Sequence, residues 1–384
     1  MYHIQVRLLF TSTYYLPYIS GLTVYISRLS GELIKKGYQV NILASQHQKD
    51  LPSEEDYQGI KVFRTPYFWR LSKGFILPLY PYHVYKLLQN NDILIINLPQ
   101  FEGFVSAFIA KILKKKIICI YNCEVYLPKG WVNRVIEKLL LLSTWITLQL
   151  ADRVVTYTKD YAESSKLLPQ FWKKVTFLYP PIPAPKIQIL ARKRLLKGIP
   201  PATRYTIGFA ARLTAEKGIE YLLASIPGLR KRLGENFIIL FIGPEHPVGE
   251  EKYFRKIKPL MDQNRKYLKF LGVLPAEEMG SFYSLLDVLI LPSVNSTEAF
   301  GMVQVEAMML GVPVVASDLP GVRVPIQKTG MGKIIPIKNT SALVEAVVDV
   351  LLHKEKFIRS RAKVESEFSL DKTIRDYLEI LRED

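Results

Sequence analysis

The chain has 384 residues, of which 49% are hydrophobic and 23% charged, and its formal net charge is +17. This length exceeds what one compact core usually supports, so we expect two domains, and the composition excludes an intrinsically disordered chain. The positive charge favours an anionic partner, such as a phosphorylated substrate, acidic lipid or nucleic acid, without choosing among them.

Strand-like apolar runs alternate with helical patterns in the first half of the chain. The first run is followed by a helical pattern over residues 23–37, which ends at Gly37. Continuous apolar strands between helices are typical of a parallel sheet that is covered on both faces. The predicted strands are residues 5–12, 38–45, 92–98, 116–122 and 153–158.

The alternation breaks at residues 178–186, LYPPIPAPK, where four prolines predict a stiff, extended connector. It then restarts in the second half of the chain. Two α/β domains joined by this hinge are therefore predicted, and one large sheet interrupted by a loop is the alternative. The predicted strands of the second half are residues 205–213, 237–243, 268–274, 287–293, 312–317 and 332–337.

Residues 298–306, EAFGMVQVE, place two glutamates eight positions apart where a strand should give way to a helix beginning near Met302. Glu298, Phe300 and Gly301 are then expected at the carboxyl edge of a parallel sheet, where α/β proteins bind ligands. The helix N-terminus favours an anion, and carboxylates accept hydrogen bonds from vicinal hydroxyls. The pattern suits a sugar nucleotide. A helix with acidic residues near its start is the alternative of equal weight.

Two other loops between a strand and a helix carry candidate residues. Arg212 and Lys217 lie where the strand at 205–213 runs into a turn before a helix. Two cations there can hold a diphosphate, although surface cations are common. Gly21 follows the first strand, where a lone glycine usually only makes a turn. The chain has no GxGxxG fingerprint, phosphate loop or Asp-x-Asp pair, and its histidines are scattered. Neither a dinucleotide cofactor nor a metal site is therefore signalled.

The location expected from sequence is the cytoplasm. Cys119 and Cys123 have no second Cys/His pair at metal spacing and fit a reducing compartment. The N-terminus lacks the features of a signal peptide, and the apolar segment 139–151 is too short and too polar to span a bilayer. Residues 111–116 and 128–150 combine basic residues with tryptophans and suit peripheral contact with the cytoplasmic membrane face. A core helix with a solvated basic face is the alternative.

Together these stretches resemble a known family. The chain is similar to the retaining nucleotide-sugar glycosyltransferases of GT-B fold that carry an E-x7-E motif, the family 4-like or group 1 glycosyltransferases. The resemblance runs nearly end to end, and its specific parts are FLGVLPAEEM and STEAFGMVQVEAMMLGVPVVASDLPG. It implies an α/β GT-B fold of two Rossmann-like domains that face each other across a cleft. Residues 1–180 would bind the acceptor, residues 187–365 the nucleotide sugar, and a helix in 366–384 would pack back on the first domain.

The resemblance also implies roles for individual residues. Glu298 would face the donor sugar and Glu306 would hold the ribose hydroxyls, while Arg212 and Lys217 match the diphosphate pair. The other donor-binding groups would be the amides of Gly21, Phe300, Gly301 and Met302, and the backbone of Val273 and Leu274, which reads the base.

Two positions depart from the family pattern. Ser20-Gly21 stands where Gly-Gly is common. The amide of Gly21 is kept, but serine allows the tight turn less readily than a second glycine does. Asn122 stands where many members carry a histidine beside the donor sugar. Asparagine can donate and accept hydrogen bonds but cannot titrate. We therefore predict that Asn122 orients a donor hydroxyl and forms the catalytic set with Glu298.

The function implied by the resemblance is transfer of a hexose from a nucleotide-diphosphate sugar to a lipid-linked or polysaccharide acceptor. The anomeric configuration would be retained, and no metal or other cofactor would be required. The alternative is a non-catalytic GT-B partner subunit with a silenced site, for which Asn122 is the best support. Nucleic-acid binding would rest on charge alone, without a recognised module, and is not expected. The E-x7-E setting speaks against an epimerase of the same fold.

Overall fold

A computed structural model of the chain describes residues 6–71, 74–127, 130–245 and 250–383. The chain forms two compact units. Unit 1 comprises residues 1–181 together with 371–384, and unit 2 comprises residues 182–370. Each unit has its own parallel sheet, so the alternative of a single large sheet is wrong.

The strands described in unit 1 are β1 (Arg7–Thr11), β2 (Gln39–Ser45), β3 (Glu54–Tyr57), β4 (Ile60–Thr65), β5 (Trp69–Leu71), β6 (Gly74–Ile76), β7 (Ile93–Leu98), β8 (Lys116–Tyr121), β9 (Arg153–Thr156) and β10 (Val175–Phe177). One sheet has the order β10-β9-β8-β7-β1-β2-β4-β3, and its strands pair in parallel except for β3 with β4. β5 and β6 form a separate antiparallel pair. The five strands predicted for this half are present as β1, β2, β7, β8 and β9, whereas the other five were not predicted.

The helices of unit 1 are α1 (Gly21–Lys35), α2 (Tyr80–Leu88), α3 (Gly103–Ile112), α4 (Trp131–Leu150) and α5 (Lys159–Ser164). Ser20 caps α1, because its hydroxyl accepts from the amide of Thr23 at 3.3 Å while its own amide donates to the Thr23 hydroxyl at 2.9 Å. This reciprocal capping box satisfies two amides at the start of the helix. Serine in place of the family's glycine thus stabilises the beginning of α1.

The strands of unit 2 are β11 (Tyr205–Ala210), β12 (Phe237–Ile242), β13 (Leu268–Phe270), β14 (Val288–Leu291), β15 (Val314–Ser317) and β16 (Gly332–Ile335). They form a parallel sheet in the order β13-β12-β11-β14-β15-β16, and all six were predicted. Every residue of β12 and β14 is buried, as expected for strands covered on both faces. The order reverses direction between β11 and β14, which is where open α/β sheets bind ligands.

The helices of unit 2 are α6 (Ile189–Leu196), α7 (Ile219–Leu233), α8 (Glu251–Gln263), α9 (Met279–Tyr283), α10 (Met302–Met309), α11 (Val324–Thr329), α12 (Thr340–Leu352), α13 (Lys354–Phe357) and α14 (Arg361–Glu367). Side chains from α7 and α12 pack with those of the sheet in one buried core. The proline-rich residues 178–186 contain no helix or strand.

The last helix, α15 (Leu370–Arg382), belongs to unit 1 from Asp371 onward. Its Tyr377 hydroxyl forms a hydrogen bond with the Tyr25 hydroxyl of α1, and both side chains are buried. Lys116 of β8 donates to the carbonyl oxygen of Ile380 at 2.6 Å. Burial raises the pKa of Tyr25 and Tyr377, so both remain neutral hydroxyls at physiological pH.

In the part of the chain that the structure describes, no helix has the length and apolar character needed to cross a bilayer. No three His, Cys, Asp or Glu side chains there are grouped so that they could hold a metal ion. Cys119 and Cys123 are both buried thiols.

Candidate functional site

The loops that follow β11 and β14 meet at the carboxyl edge of the unit 2 sheet. The amide of Val294 donates to the carbonyl oxygen of Glu216 at 2.9 Å and ties the two loops together. Gly218 has a φ of +67°, and a Cβ at this position would lie 2.0 Å from the carbonyl oxygen of Pro292. Only glycine permits both this backbone conformation and this close approach. The two loops therefore form one continuous platform.

Four charged side chains gather on this platform. Lys217 forms an ion pair with Glu298, and Arg212 contacts Glu216 at 3.4 Å. All four side chains are half-buried. The structure thus brings both predicted cations and the first glutamate of the E-x7-E motif to one place, with each cation next to a carboxylate. An anion that binds here would compete with these carboxylates for the two cations.

Gly301 sets the geometry of the turn before α10. Its φ is +77°, and a Cβ there would lie 2.5 Å from Cδ2 of Leu291 and 2.8 Å from Nε2 of Gln304. The buried Gln304 amide donates to the carbonyl oxygens of Phe300 at 2.8 Å and Val322 at 3.0 Å. The helix begins at Met302, as predicted. Gln304 therefore fixes the loop from which the predicted amides at 300–302 are presented.

Glu306, the second glutamate of the motif, lies on α10 and is buried. Its carboxylate accepts a hydrogen bond of 2.6 Å from the hydroxyl of Tyr283 on α9. A buried carboxylate needs such donors to offset its lost hydration. This contact gives the Glu306 carboxylate a fixed orientation within unit 2.

Val273 and Leu274 follow β13 at the same carboxyl edge of the sheet. The turn between the strand and these residues is held by Gly272, whose φ is +71° and whose carbonyl oxygen accepts from the amide of Gly243 at 2.9 Å. Val273 is exposed and Leu274 is half-buried. β13 is separated from β11 by β12, so these two residues lie two strands away from the loop of Arg212.

Asn122, predicted as a catalytic residue, lies in unit 1 immediately after β8, and its side chain is 1% exposed. Its amide nitrogen contacts Oδ1 of Asn97 and the carbonyl oxygen of Leu98, each at 2.7 Å. Its oxygen accepts from the hydroxyl of Tyr157. These contacts use both hydrogens of the amide nitrogen and one of the two lone pairs of the amide oxygen. Asn122 is therefore part of the internal hydrogen-bond frame of the sheet, and its role toward a donor hydroxyl stays a prediction. Gly21, the other site residue predicted in unit 1, is the exposed first residue of α1.

Unit 1 contains a pocket at the carboxyl ends of β7 and β8, beside α4. Within it, the buried Glu124 accepts from the amide of Lys166 at 2.7 Å and from the hydroxyl of Ser165 at 3.0 Å. Three cations and two carboxylates thus line a concave surface that also has apolar walls. Its lining includes Pro99, Glu124, Arg134, Glu137, Lys138, Leu141 and Lys166.

Two family models divide the chain between them. The Glycosyltransferase Family 4 model matches residues 19–184, and the Glycosyl transferases group 1 model matches residues 195–365. The chain belongs to the family 4-like glycosyltransferases. The fold class predicted from sequence, α/β with the GT-B fold, is confirmed, and the protein is a glycosyltransferase by family.

Similar proteins include curated glycosyltransferases and solved structures. An uncharacterized glycosyltransferase of Methanocaldococcus jannaschii is 24% identical over 87% of this chain and 85% of its own length. A D-inositol 3-phosphate glycosyltransferase of Corynebacterium efficiens is 25% identical, but the match spans only 62% of this chain and 56% of that enzyme. The structure of Anabaena HepE in complex with UDP-glucose has a TM-score of 0.76 at 15% identity, covering 98% of this chain and 99% of that one. At that identity the structural likeness shows the fold alone.

Sequence reasoning missed three side chains that shape the site of this glycosyltransferase. Glu216 lies beside Arg212, Tyr283 holds Glu306, and Gln304 fixes the turn at Gly301. Glu216 could have been found, because it is four residues from Arg212 in the same loop. Tyr283 and Gln304 gave no sequence signal, since their role depends on contacts with other elements.

Proposed function

We propose that this glycosyltransferase moves a hexose from a nucleotide-diphosphate sugar to an acceptor with retention of anomeric configuration. The observation that carries the proposal is the cluster of Arg212, Lys217 and Glu298 at the reversal point of the unit 2 sheet. Two cations beside a helix N-terminus suit a diphosphate, and a neighbouring carboxylate suits the hydroxyls of a sugar.

The donor-binding roles follow from these positions. Arg212 and Lys217 would bind the diphosphate together with the amides at residues 300–302, at the N-terminus of α10. Glu298 would face the donor sugar. Glu306, oriented by Tyr283, would accept hydrogen bonds from the ribose. Val273 and Leu274 would contact the base through their backbone, and Gly21 would contribute its amide from unit 1.

These groups would stabilise the departing nucleoside diphosphate. Negative charge grows on the leaving diphosphate as the bond to the anomeric carbon breaks, and fixed cations and amides stabilise this charge more strongly than mobile water does. We propose that the two cations and the helix N-terminus supply this stabilisation without a metal. Glu298 must release Lys217, or share it, when the diphosphate binds.

The acceptor is proposed to be lipid-linked or a glycan, and the pocket of unit 1 is its candidate site. The pocket has apolar walls and two carboxylates, and its three cations are Arg134, Lys138 and Lys166. Such a lining fits an acceptor that carries both hydroxyls and a negatively charged group. The named activity of the Corynebacterium relative, on D-inositol 3-phosphate, is consistent with an acceptor of this kind. We propose a cytoplasmic location that includes the membrane face.

The proposal is tested with purified protein and a panel of nucleotides and nucleotide sugars. We expect one nucleoside diphosphate to raise the melting temperature, and the matching nucleotide sugar to be hydrolysed or transferred. NMR of the released or transferred sugar then reports the anomeric configuration. Stabilisation by a nucleoside diphosphate without turnover of any nucleotide sugar would favour the non-catalytic partner subunit. No stabilisation by any nucleotide would contradict the donor site itself.

A further inference from the structure

Four neighbouring strands of the unit 1 sheet each contribute one buried polar side chain at or near their carboxyl ends. The strands β9, β8, β7 and β1 are adjacent in that order. Their side chains are Tyr157, Asn122, Asn97 and Ser12, and each is 8% exposed or less. We call these four residues the polar row. Buried polar groups lose their hydration, so each needs a partner to offset that loss.

Hydrogen bonds join the polar row from one end to the other. The Tyr157 hydroxyl donates to Oδ1 of Asn122. Nδ2 of Asn122 donates to Oδ1 of Asn97 at 2.7 Å. Nδ2 of Asn97 donates to Oγ of Ser12 at 3.4 Å, which is the longest contact of the row. One chain of hydrogen bonds therefore crosses the sheet from β9 to β1.

A backbone carbonyl fixes the direction of this chain of hydrogen bonds. Nδ2 of Asn122 also contacts the carbonyl oxygen of Leu98 at 2.7 Å. A carbonyl oxygen can only accept, so the atom that faces it must be the amide nitrogen. The amide oxygen of Asn122 then faces Tyr157. Asn97 consequently turns its oxygen towards Asn122 and its nitrogen towards Ser12, so the Ser12 oxygen is an acceptor in the row.

The Ser12 hydroxyl hydrogen is the donor left over at the end of the row. Within the described residues, Oγ of Ser12 contacts only Nδ2 of Asn97, so its hydrogen has no acceptor there. Linked hydrogen bonds polarise one another, which makes the last hydroxyl a stronger donor. Ser12 directly follows β1, and the strand order of the sheet reverses direction between β1 and β7. Open α/β sheets bind ligands at such a reversal point.

We infer that the Ser12 hydroxyl donates a hydrogen bond to an oxygen of the sugar substrate, and that Asn97 positions this hydroxyl. The inference rests on the proposed function, because the sugar supplies the acceptor oxygen. The candidate acceptor pocket lies at the carboxyl ends of β7 and β8, on the same edge of the sheet as the row. A row that only tied strands together would have an acceptor for its last hydrogen within the chain.

Ser12→Ala removes this donor. We expect kcat/KM for the matching nucleotide sugar to fall about two- to tenfold, the effect of losing one neutral hydrogen bond. Affinity for the nucleoside diphosphate should be unchanged, because unit 2 carries the proposed diphosphate site. A loss in both donor hydrolysis and transfer would assign the contact to the donor sugar, and a loss in transfer alone to the acceptor. The control is Ser30→Ala, which removes a buried hydroxyl of α1 and should keep parental turnover.

Asn97→Asp tests the direction of the row. A protonated carboxyl group donates to Ser12 as the Asn97 amide does, whereas an ionised one only accepts and takes the Ser12 hydrogen from the substrate. Relative to the parent, kcat/KM should therefore fall to the level of Ser12→Ala as the pH rises through the pKa of the new carboxyl group. The control Asn91→Asp makes the same change before β7, where the buried Asn91 accepts from Asn41 at 2.9 Å. It should show no such pH dependence.

The row itself is tested without turnover by NMR of the asparagine side-chain amides. Ser12→Ala should shift the signals of Asn97, and circular dichroism should show each variant folded. Unchanged Asn97 signals, parental turnover of Ser12→Ala, an equal loss in Ser30→Ala, or a parental pH profile of Asn97→Asp would overturn the inference and leave the proposed function intact. A parent that turns over no nucleotide sugar would refute the proposed function, and the inference with it.

Discussion

Replacing Glu298 with glutamine should tighten the binding of a nucleoside diphosphate while slowing transfer. The half-buried Glu298 carboxylate forms an ion pair with Lys217. A charge-assisted hydrogen bond of this kind contributes about 1.5–3 kcal/mol. A diphosphate that binds Lys217 must replace this contact and also approach a carboxylate of like charge. Glu298→Gln removes both costs, so we expect affinity to rise by about tenfold to a hundredfold.

Lys217→Ala should change the affinity for a nucleoside diphosphate in the opposite direction, through the same contact. It removes a cation from the diphosphate site, so both affinity and turnover should fall, with turnover lower by about 10²–10³. Isothermal titration calorimetry with the most stabilising nucleoside diphosphate measures affinity, and release of nucleoside diphosphate from the matching nucleotide sugar measures turnover. The two variants together separate the role of the cation from that of its carboxylate partner.

Glu235→Gln is the matched control for Glu298→Gln. Glu235 also forms an ion pair, with Lys266 at 2.7 Å, but it precedes β12 and therefore lies at the amino edge of the sheet. The net charge changes equally in both variants. If Glu298→Gln weakens nucleoside diphosphate binding, or if Glu235→Gln strengthens it as much, the competition between Glu298 and the diphosphate for Lys217 is refuted.

Three further predictions concern stability. Burial raises the pKa of Glu102 from 4.5 to about 7. Between these pH values the unfolded chain loses a proton that the folded chain keeps. The free energy of unfolding therefore falls by about 3 kcal/mol as the pH rises. The melting temperature of Glu102→Gln should therefore rise relative to that of the parent between pH 5 and pH 8; a constant difference between the two melting temperatures would contradict this. Asn122→Ala should cost about 1–3 kcal/mol in urea unfolding because its partners lose their contacts. Asn122→His should also be destabilising, since a neutral imidazole donates only one hydrogen; a stable but inactive Asn122→Ala would instead support the predicted catalytic role. Gly218→Ala should destabilise unit 2 more than Gly234→Ala, because both glycines have positive φ but only Gly218 faces a backbone oxygen, that of Pro292; equal melting temperatures would contradict the close approach.

Much of the fold could be predicted because its strands are continuous apolar runs. The strand β7, ILIINL, is buried along its whole length and is recognisable without any partner. The strand β4, IKVFRT, includes Lys61 and Arg64 and gave no such signal. Arg64 is nonetheless buried, because it pairs with Glu55 of β3 and donates to the carbonyl oxygen of Leu16 at 2.9 Å. A buried cation of this kind depends on residues brought together by the fold, which the local sequence does not reveal.

The candidate site, like the fold, could be predicted only in part. The start of α10 and the carboxyl-edge position of Glu298 could be predicted, because both follow from a strand that runs into a helix. The ion pair of Glu298 with Lys217 could not, since it depends on β11 and β14 being neighbours despite the two strands between them in the chain. The contacts of Asn122 could not be predicted for a related reason. Its position after β8 follows from the strand pattern, but its hydrogen bonds depend on Asn97 and Tyr157, which the fold brings next to it.

The pairing of Tyr25 with Tyr377 has a consequence for synthesis of the chain. Unit 1 is discontinuous: its first 181 residues leave the ribosome before the whole of unit 2, and its last helix, α15, follows afterwards. At about 5–20 residues per second, translation of the intervening residues 182–370 takes on the order of 10–40 s. Throughout that interval the surface of α1 around Tyr25 lacks the helix that covers it. Unit 2 is contiguous and can complete its core as it emerges, so the domain translated first is the one finished last.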